Sequence, residues 1–351
     1  MVSDQLLLYG ATGYSGRLIA GAAAELGLRP VLGGRDGTRL SALAETFGLE
    51  YRVAPLSDSN RLDSVLHDVQ VVLHAAGPFS ATSRPVLDAC MRTGTHYLDI
   101  TGEVPVIEAL AHRDAEARKR GIMIMPGVGF DVVAGDCLAA HVARRLPGAE
   151  RLALGVSGLP FMSRGTARTL VEMVDGGFVR RAGILTSVAL GSLQHQFDFG
   201  AGARPCLNVS WGDVATAYYT TGIPNIEVYH ESSPTLQGVV ASSRYFGSLL
   251  RTGPWQALLA AHAHLLPEGP SREERVRARA VVVAEARDRR GRRAISRLRT
   301  PEVYTFTGMT APAIARRVLE GDVEVGFQTP GRVYGGDFVT SFAGVTREDL
   351  Q

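Results

Sequence analysis

The stretch Tyr9-Gly10-Ala11-Thr12-Gly13-Tyr14-Ser15-Gly16 constrains the fold more than any other. It follows the apolar run Leu6-Leu7-Leu8 and leads into Arg17 to Leu26, whose apolar spacing is helical. The order is therefore strand, tight glycine turn, helix, the context that gives a glycine pattern meaning as a dinucleotide-binding turn. Gly10 allows the sharp turn, Gly13 lets backbone approach a pyrophosphate, and Gly16 lets the helix pack close on its strand. Amide groups at the start of the helix then face the phosphates. Thr12, Tyr14 and Ser15 lie in the same turn and are assigned to cofactor contact with the three glycines.

The spacing is GxxGxxG, a form common in NADP-binding reductases. The next apolar run, Pro30 to Gly34, ends in Arg35-Asp36. At this place a carboxylate accepts from the ribose 2′-hydroxyl of NAD, whereas an arginine pairs with the 2′-phosphate of NADP. Arg35 occupies that place and predicts NADP(H); Asp36, one residue on, could point away. The plainer alternative is a surface Arg-Asp turn.

Strand-like and helical segments then alternate. A helix is expected over 38–47, a strand over 51–54, a helix from Asp58 to Leu66, and a buried strand from Val69 into Ala75-Ala76-Gly77-Pro78. Further expectations are a helix from Pro85 to Thr93, a strand and loop from His96 to Glu103, a helix from Pro105 to Arg120, and a sixth strand leaving through Gly127 and Gly129 to Asp131. Six alternations argue for a doubly wound parallel sheet of Rossmann type. Ligands of such sheets bind at the carboxyl ends of the strands, so Ala75, Ala76, Gly77, Pro78, Gly102 and Gly127 join the cofactor set.

The alternation stops near residue 150. Strands are expected over 151–157, 183–188, 194–199, 204–211, 276–286 and 293–299, the last two joined by the turn Asp288-Arg289-Arg290-Gly291. Helices are expected from Ser163 to about Val174, over 235–265 with a break at Gly253-Pro254, and from Ala311 to Glu320. A final strand and loop span Val323 to Pro330. With 351 residues the chain exceeds a usual single core. The division expected is 1–135, an NADP-binding domain; 136–325, an α+β substrate or dimerisation domain with a mixed sheet; and 326–351, a return to the first domain.

Composition narrows the function. Thirty-seven basic and 35 acidic residues leave a net charge of +2, too small to argue for a nucleic-acid partner. Lys119 is the only lysine; it lies in a charged helix end, so lysine chemistry is not expected. Cys90, Cys137 and Cys206 have neither metal-ligand nor disulfide spacing. No apolar run is long enough to span a bilayer, and no leader precedes the first strand, so a cytoplasmic protein without a metal is expected.

A reductase needs groups that supply or accept a proton beside the nicotinamide. Asp131 and Glu103, in loops after the sixth and fifth strands, are the catalytic candidates; each has an alternative reading at a helix start. Tyr97 and Asp99 alternate with Leu98 and Ile100, which reads Tyr97 as core. In the second domain Arg164, in Ser163-Arg164-Gly165-Thr166, is a candidate for an anionic substrate group. Tyr218 is a candidate for substrate contact, with packing as the alternative reading for it and for Tyr219 and His230.

Several motifs together resemble a known group. GATGYSG, GGRD, HAAGPF, GTHYLDITGE and PGVGFDVVAGD look like the saccharopine dehydrogenase-like oxidoreductases, in the branch that includes bacterial trans-acting enoyl reductases; SRGT and GFQTPG also look like that branch. The resemblance implies an NADP(H)-binding domain with a second domain inserted before a short C-terminal return. It implies hydride transfer, with reduction of a carbon–carbon double bond in an acyl or polyketide-type intermediate, by a homodimer. Two alternatives stand beside it: action on a C–N bond, as in saccharopine dehydrogenases, and a non-catalytic NADP-binding partner protein. The apolar Val132-Val133-Ala134 after Asp131 and the single lysine disfavour an amino-dicarboxylate substrate.

Overall fold

The computed structural model describes residues 5–158, 177–250, 255 and 268–351. The chain divides into two compact units. The first comprises Met1–Val133 and Tyr304–Val333, the second Ala134–Val303 and Tyr334–Gln351.

The first unit is built on β1 (Leu6–Tyr9), β2 (Val31–Gly34), β3 (Tyr51–Val53), β4 (Val71–His74), β5 (His96–Asp99) and β6 (Met123–Met125). Between and after them lie α1 (Tyr14–Glu25), α2 (Gly37–Phe47), α3 (Ser59–Leu66), α4 (Phe79–Thr93), α5 (Val104–Ala111), α6 (Asp114–Arg120) and α7 (Phe130–Arg145), the last running on into the second unit. Every residue of β1, β2, β4 and β6 is buried. Continuous burial without alternation is what a parallel sheet covered on both faces requires. All pairings are parallel, and a seventh strand, β15 (Gly326–Phe327), adds beyond β6 to give the order β15-β6-β5-β4-β1-β2-β3. The order reverses between β1 and β4, which places the switch-point crevice over their carboxyl ends.

The second unit holds a mixed sheet. Its strands are β7 (Arg151–Ser157), β8 (Gly177–Arg181), β9 (Ile184–Val188), β10 (Gln194–Asp198), β11 (Ala203–Asn208), β12 (Asn225–Glu231), β13 (Arg279–Arg287), β14 (Arg293–Pro301) and β16 (Thr346–Asp349). The main path is β10-β11-β12-β7-β13-β14-β16, with β8 and β9 branching from β12. Only the β7–β12 pairing is parallel among these described strands. Both parts of the expected fold class, a parallel Rossmann-type sheet and a mixed α+β sheet, are present.

The structure differs from the sequence expectation in several places. The return to the first unit begins at Tyr304, not residue 326, because the helix Val303–Leu319 packs there. Its Thr307 hydroxyl accepts from the Phe130 amide at 3.0 Å, and its Thr310 hydroxyl donates to the Val128 carbonyl at 2.8 Å. The tail after Val333 belongs to the second unit, where β16 pairs with β14. Helix α4 starts at Phe79, six residues before Pro85 in the chain, and carries that proline inside it. The helix expected from Pro105 to Arg120 is two, broken at His112-Arg113. Before β13 stands a short helix, Arg272–Arg277, opened by a Ser271–Glu274 capping box; its last two residues fall within the strand expected from 276, which begins at Arg279. Strand β12 and the helix Asp213–Thr221 were not expected at all. The helix expected over 163–174 lies outside the described residues.

Candidate functional site

The glycine turn sits at the switch point. Gly10 has φ of +89°, and its amide donates to the Gly33 carbonyl of β2 at 2.8 Å. A Cβ on Gly10 would lie 2.6 Å from the Ala76 nitrogen and 2.8 Å from the Ala75 carbonyl carbon, so the loop after β4 leans directly on the turn. A Cβ on Gly16 would fall 2.3 Å from the Gly10 oxygen and 2.8 Å from the Ala11 Cα, which is the close helix–strand approach expected of the third glycine. Gly13 is different. Only the Gly10 oxygen, at 3.4 Å, lies within 4 Å of its would-be Cβ. Its glycine character serves open space outside the turn.

Gly13 is also the N-cap of α1, with extended backbone and no side chain to spend on the amides behind it. The Ser15 and Gly16 amides have no hydrogen-bond partner among the described residues. Unpaired amides at a helix start, beside a backbone that leaves room for an anion, form a site for a phosphate. A dinucleotide fits this cradle. The ring of Tyr14, the first residue of α1, meets that of Tyr304 edge-on at 5.1 Å.

Arg35 is exposed at the end of β2, and its charge bears on the buried Tyr9 hydroxyl, which burial pushes up to about 12. Asp36 spends its carboxylate on the Arg39 amide at 3.1 Å and so caps α2. Two further cations reach the turn: Arg17 and Arg39 both donate to the Thr12 carbonyl, at 2.8 and 3.3 Å. With Thr12, Ala42, Leu43 and Thr46 they line a recess of about 280 Å³. Sequence reasoning singled out Arg35 and passed over Arg17 and Arg39. The available signal was their place one residue after the last glycine and in the first turn of α2.

The loops after β5 and β6 are tied by one carboxylate. Asp99 is fully buried; its Oδ1 accepts from the Thr101 amide at 2.9 Å and the Gly127 amide at 3.0 Å, and its Oδ2 from the Tyr97 hydroxyl at 2.7 Å. Gly127 has φ of +69°, a conformation that lets its amide turn to Asp99. Burial raises the Asp99 carboxyl to about 6 against the lowering effect of these three donors. Tyr97 is fully buried, as the core reading expected.

The two carboxylates proposed for catalysis stand in different surroundings. Glu103 is buried and accepts from two backbone amides at the start of α4, Phe79 at 2.8 Å through Oε1 and Ser80 at 2.7 Å through Oε2. Gly102, beside it, is half-buried. Asp131 lies half-buried in the first turn of α7, where negative charge is favoured by the helix dipole. In the second unit Tyr218 packs under the buried Arg180, whose guanidinium lies 4.3 Å from the ring centre. Arg164 lies outside the described residues.

A fully parallel sheet with a glycine turn at its switch point defines a dinucleotide-binding domain, here joined to a mixed-sheet unit. Residues 6–125 match the family model for the saccharopine dehydrogenase NADP binding domain, in line with the resemblance read from the motifs of this part of the chain. The chain is 36% identical over 151 residues to a trans-acting enoyl reductase of Mycobacterium leprae, an alignment covering 40% of this chain and 36% of that protein. A trans-acting enoyl reductase of Mycobacterium tuberculosis is 33% identical over 150 residues, covering 40% of this chain and 35% of that one. The match thus spans little more than a third of these relatives' length. The apo saccharopine dehydrogenase (L-Glu forming) of Saccharomyces cerevisiae shares the fold, with a TM-score of 0.65 over 99% of this chain and 100% of that one at 15% identity.

Proposed function

We propose that this protein is an NADP(H)-dependent reductase of an activated carbon–carbon double bond in an acyl or polyketide-type intermediate. The observation that carries the cofactor half is the Gly13 cradle: open space beside unpaired amides of α1, with Arg35 at the end of β2. The substrate half is supported by the likeness of 40% of the chain to a trans-acting enoyl reductase. The amides of α1 would hold the pyrophosphate, and Arg35 with Arg39 the 2′-phosphate. Ala75 to Pro78, Gly102 and Gly127 would border the rest of the dinucleotide. When bound, the cofactor supplies the hydride. Asp131, in the first turn of α7, is then the candidate for handling the proton, and Glu103, held by two α4 amides, is the second. A homodimer in the cytoplasm completes this reading.

The test is a fluorescence titration with NADPH and NADH, followed by turnover of 2-enoyl thioesters against cyclic imines. We expect NADPH to be preferred and Arg35→Ala to weaken NADPH about tenfold or more while leaving NADH unchanged, the scale of a lost charge-assisted hydrogen bond. Equal weakening of both nucleotides would remove Arg35 from the 2′-phosphate. Oxidation of NADPH with imines and not with enoyl thioesters would move the reading to C–N chemistry.

A further inference from the structure

The last residue of β4, His74, is fully buried. The rings of Phe79, Tyr9 and Tyr97 surround it, with centroids 5.1, 5.7 and 6.2 Å away. Its Nε2 lies 3.0 Å from the Thr82 hydroxyl. That hydroxyl is also 2.6 Å from the Ala76 carbonyl and 3.0 Å from the Pro78 carbonyl. Nothing in the proposed reaction uses either side chain.

Proton counting fixes the direction of these bonds. A threonine hydroxyl has one proton. Two carbonyls can only accept, so that proton goes to them, and the shorter contact is to Ala76. Toward His74 the hydroxyl oxygen can then only accept. Nε2 must therefore carry the ring hydrogen, and Nδ1 is left as a bare lone pair; it is buried and has no hydrogen-bond partner among the described residues. Desolvation holds the imidazole neutral, with its pKa lowered to about 3. The histidine is a fixed donor, locked in one tautomer by its surroundings.

The carbonyls held by Thr82 belong to the loop that bounds the switch-point crevice. Ala76 is the residue whose nitrogen and Cβ would stand 2.6 and 2.7 Å from a Cβ on Gly10. The Ala75 amide donates to the Tyr9 carbonyl at 2.7 Å, joining the same loop to the end of β1. A shift of this loop therefore changes the floor on which the dinucleotide lies.

We propose that His74 and Thr82 form a positioning relay that sets the loop Ala75–Pro78 against the glycine turn and thereby controls nucleotide affinity. His74 donates to Thr82, Thr82 donates to Ala76, and Ala76 closes on Gly10. Neither side chain touches the cofactor. The inference rests on the dinucleotide reading of the turn.

Three variants test it by NADPH titration, with thermal unfolding measured on each. Thr82→Val keeps the shape and removes the hydroxyl, so the His74 N–H loses its acceptor and the Ala76 carbonyl loses the Thr82 donor, while the Pro78 carbonyl keeps the Ala81 amide at 3.2 Å. We expect about tenfold weaker NADPH binding, the scale of a buried polar group left unsatisfied. Thr82→Ser restores the hydroxyl and should restore affinity to within about twofold. A folded Thr82→Val that binds NADPH like the natural protein overturns the relay, as does a Thr82→Ser that binds as weakly as the valine variant. If Thr82→Val does not fold, His74→Leu, which leaves the Thr82 hydroxyl on Ala76, takes its place: about threefold weaker binding is expected, and unchanged binding overturns the proposal. Failure of the natural protein to bind NADPH would instead sink the dinucleotide reading itself, so the two failures are distinguishable.

Discussion

Helices α1 and α4 follow adjacent parallel strands, β1 and β4, and start at the same edge of the sheet. Their first turns are treated in opposite ways. The Phe79 and Ser80 amides of α4 are both satisfied by the Glu103 carboxylate, brought from 24 and 23 residues away. The first turn of α1 opens on Gly13, with unpaired Ser15 and Gly16 amides and no acidic residue. A helix start has the same partial positive charge wherever it occurs. In α4 the answering anion belongs to the protein; in α1 it must come from a ligand. The difference separates a structural helix terminus from a binding one.

The comparison can be broken most forcefully at Gly16. A Cβ there would meet the Gly10 carbonyl and the Ala11 Cα, both backbone atoms that cannot swing aside. Gly16→Ala should cost about 3 kcal/mol of stability, the upper range for overpacking, and abolish NADPH binding with it. Chemical denaturation checks the first effect; an unfolding midpoint equal to that of the natural protein would mean α1 is less tightly seated than the structure shows.

Next in size is a pH effect at Asp99, whose carboxylate ties the loops beyond β5 and β6. Its folded pKa, about 6, lies above the unfolded carboxylate value. The native state then holds the proton more tightly, so this group's stabilisation is full below about pH 4 and is lost as pH rises through 6. The loss is set by the gap between the folded and unfolded values, at about 1.4 kcal/mol for each pH unit that separates them. Asp99→Asn keeps an acceptor for Thr101 and Gly127 and offers its amide to the Tyr97 oxygen. Its stability relative to the natural protein should rise between pH 4 and pH 7; a constant difference would contradict the buried, proton-holding carboxyl. The buried His74 and His230, each lowered to about 3, act in the opposite sense and lose stability as pH falls below about 6.5. The comparison must therefore be made between variants and not on the natural protein alone.

Glu103→Gln sharpens the contrast between the two helices. The carboxamide has one oxygen where the carboxylate has two, so one α4 amide loses its acceptor. The expected cost is about 1–3 kcal/mol. A variant of unchanged stability that fails only in turnover would return Glu103 to a catalytic role.

The sequence made the α1 side of this comparison legible and hid the α4 side. The turn, its flanking strand and its helix occupy one short stretch, so local order alone assigns each glycine its place. The exit of β2 at Arg35 and the small-residue loop after β4 were placed at strand ends for the same reason. The cap on α4 comes from a distant residue, and the hydroxyl on the Phe130 amide comes from 177 residues further on; no local pattern announces either. Strand β12 was passed over although Asn225-Ile226-Glu227-Val228 alternates polar and apolar residues; it lies next to β7 inside the second sheet. The tail was assigned to the first unit, but its Thr346–Asp349 segment is an edge strand on β14. Pairings across long stretches of chain organise the second sheet, and local periodicity carries no record of them.

Gly13→Ala tests the central claim most directly, with NADPH titration and thermal unfolding measured on the same sample. Its Cβ meets no atom closer than the Gly10 oxygen at 3.4 Å, so the fold should lose no more than about 1 kcal/mol, the cost of alanine at an N-cap. The same methyl group would project into the space where a pyrophosphate must approach the α1 amides. We expect near-normal unfolding together with loss of NADPH binding. A folded Gly13→Ala protein that binds NADPH as the natural protein does would contradict the assignment of the α1 terminus as the nucleotide cradle.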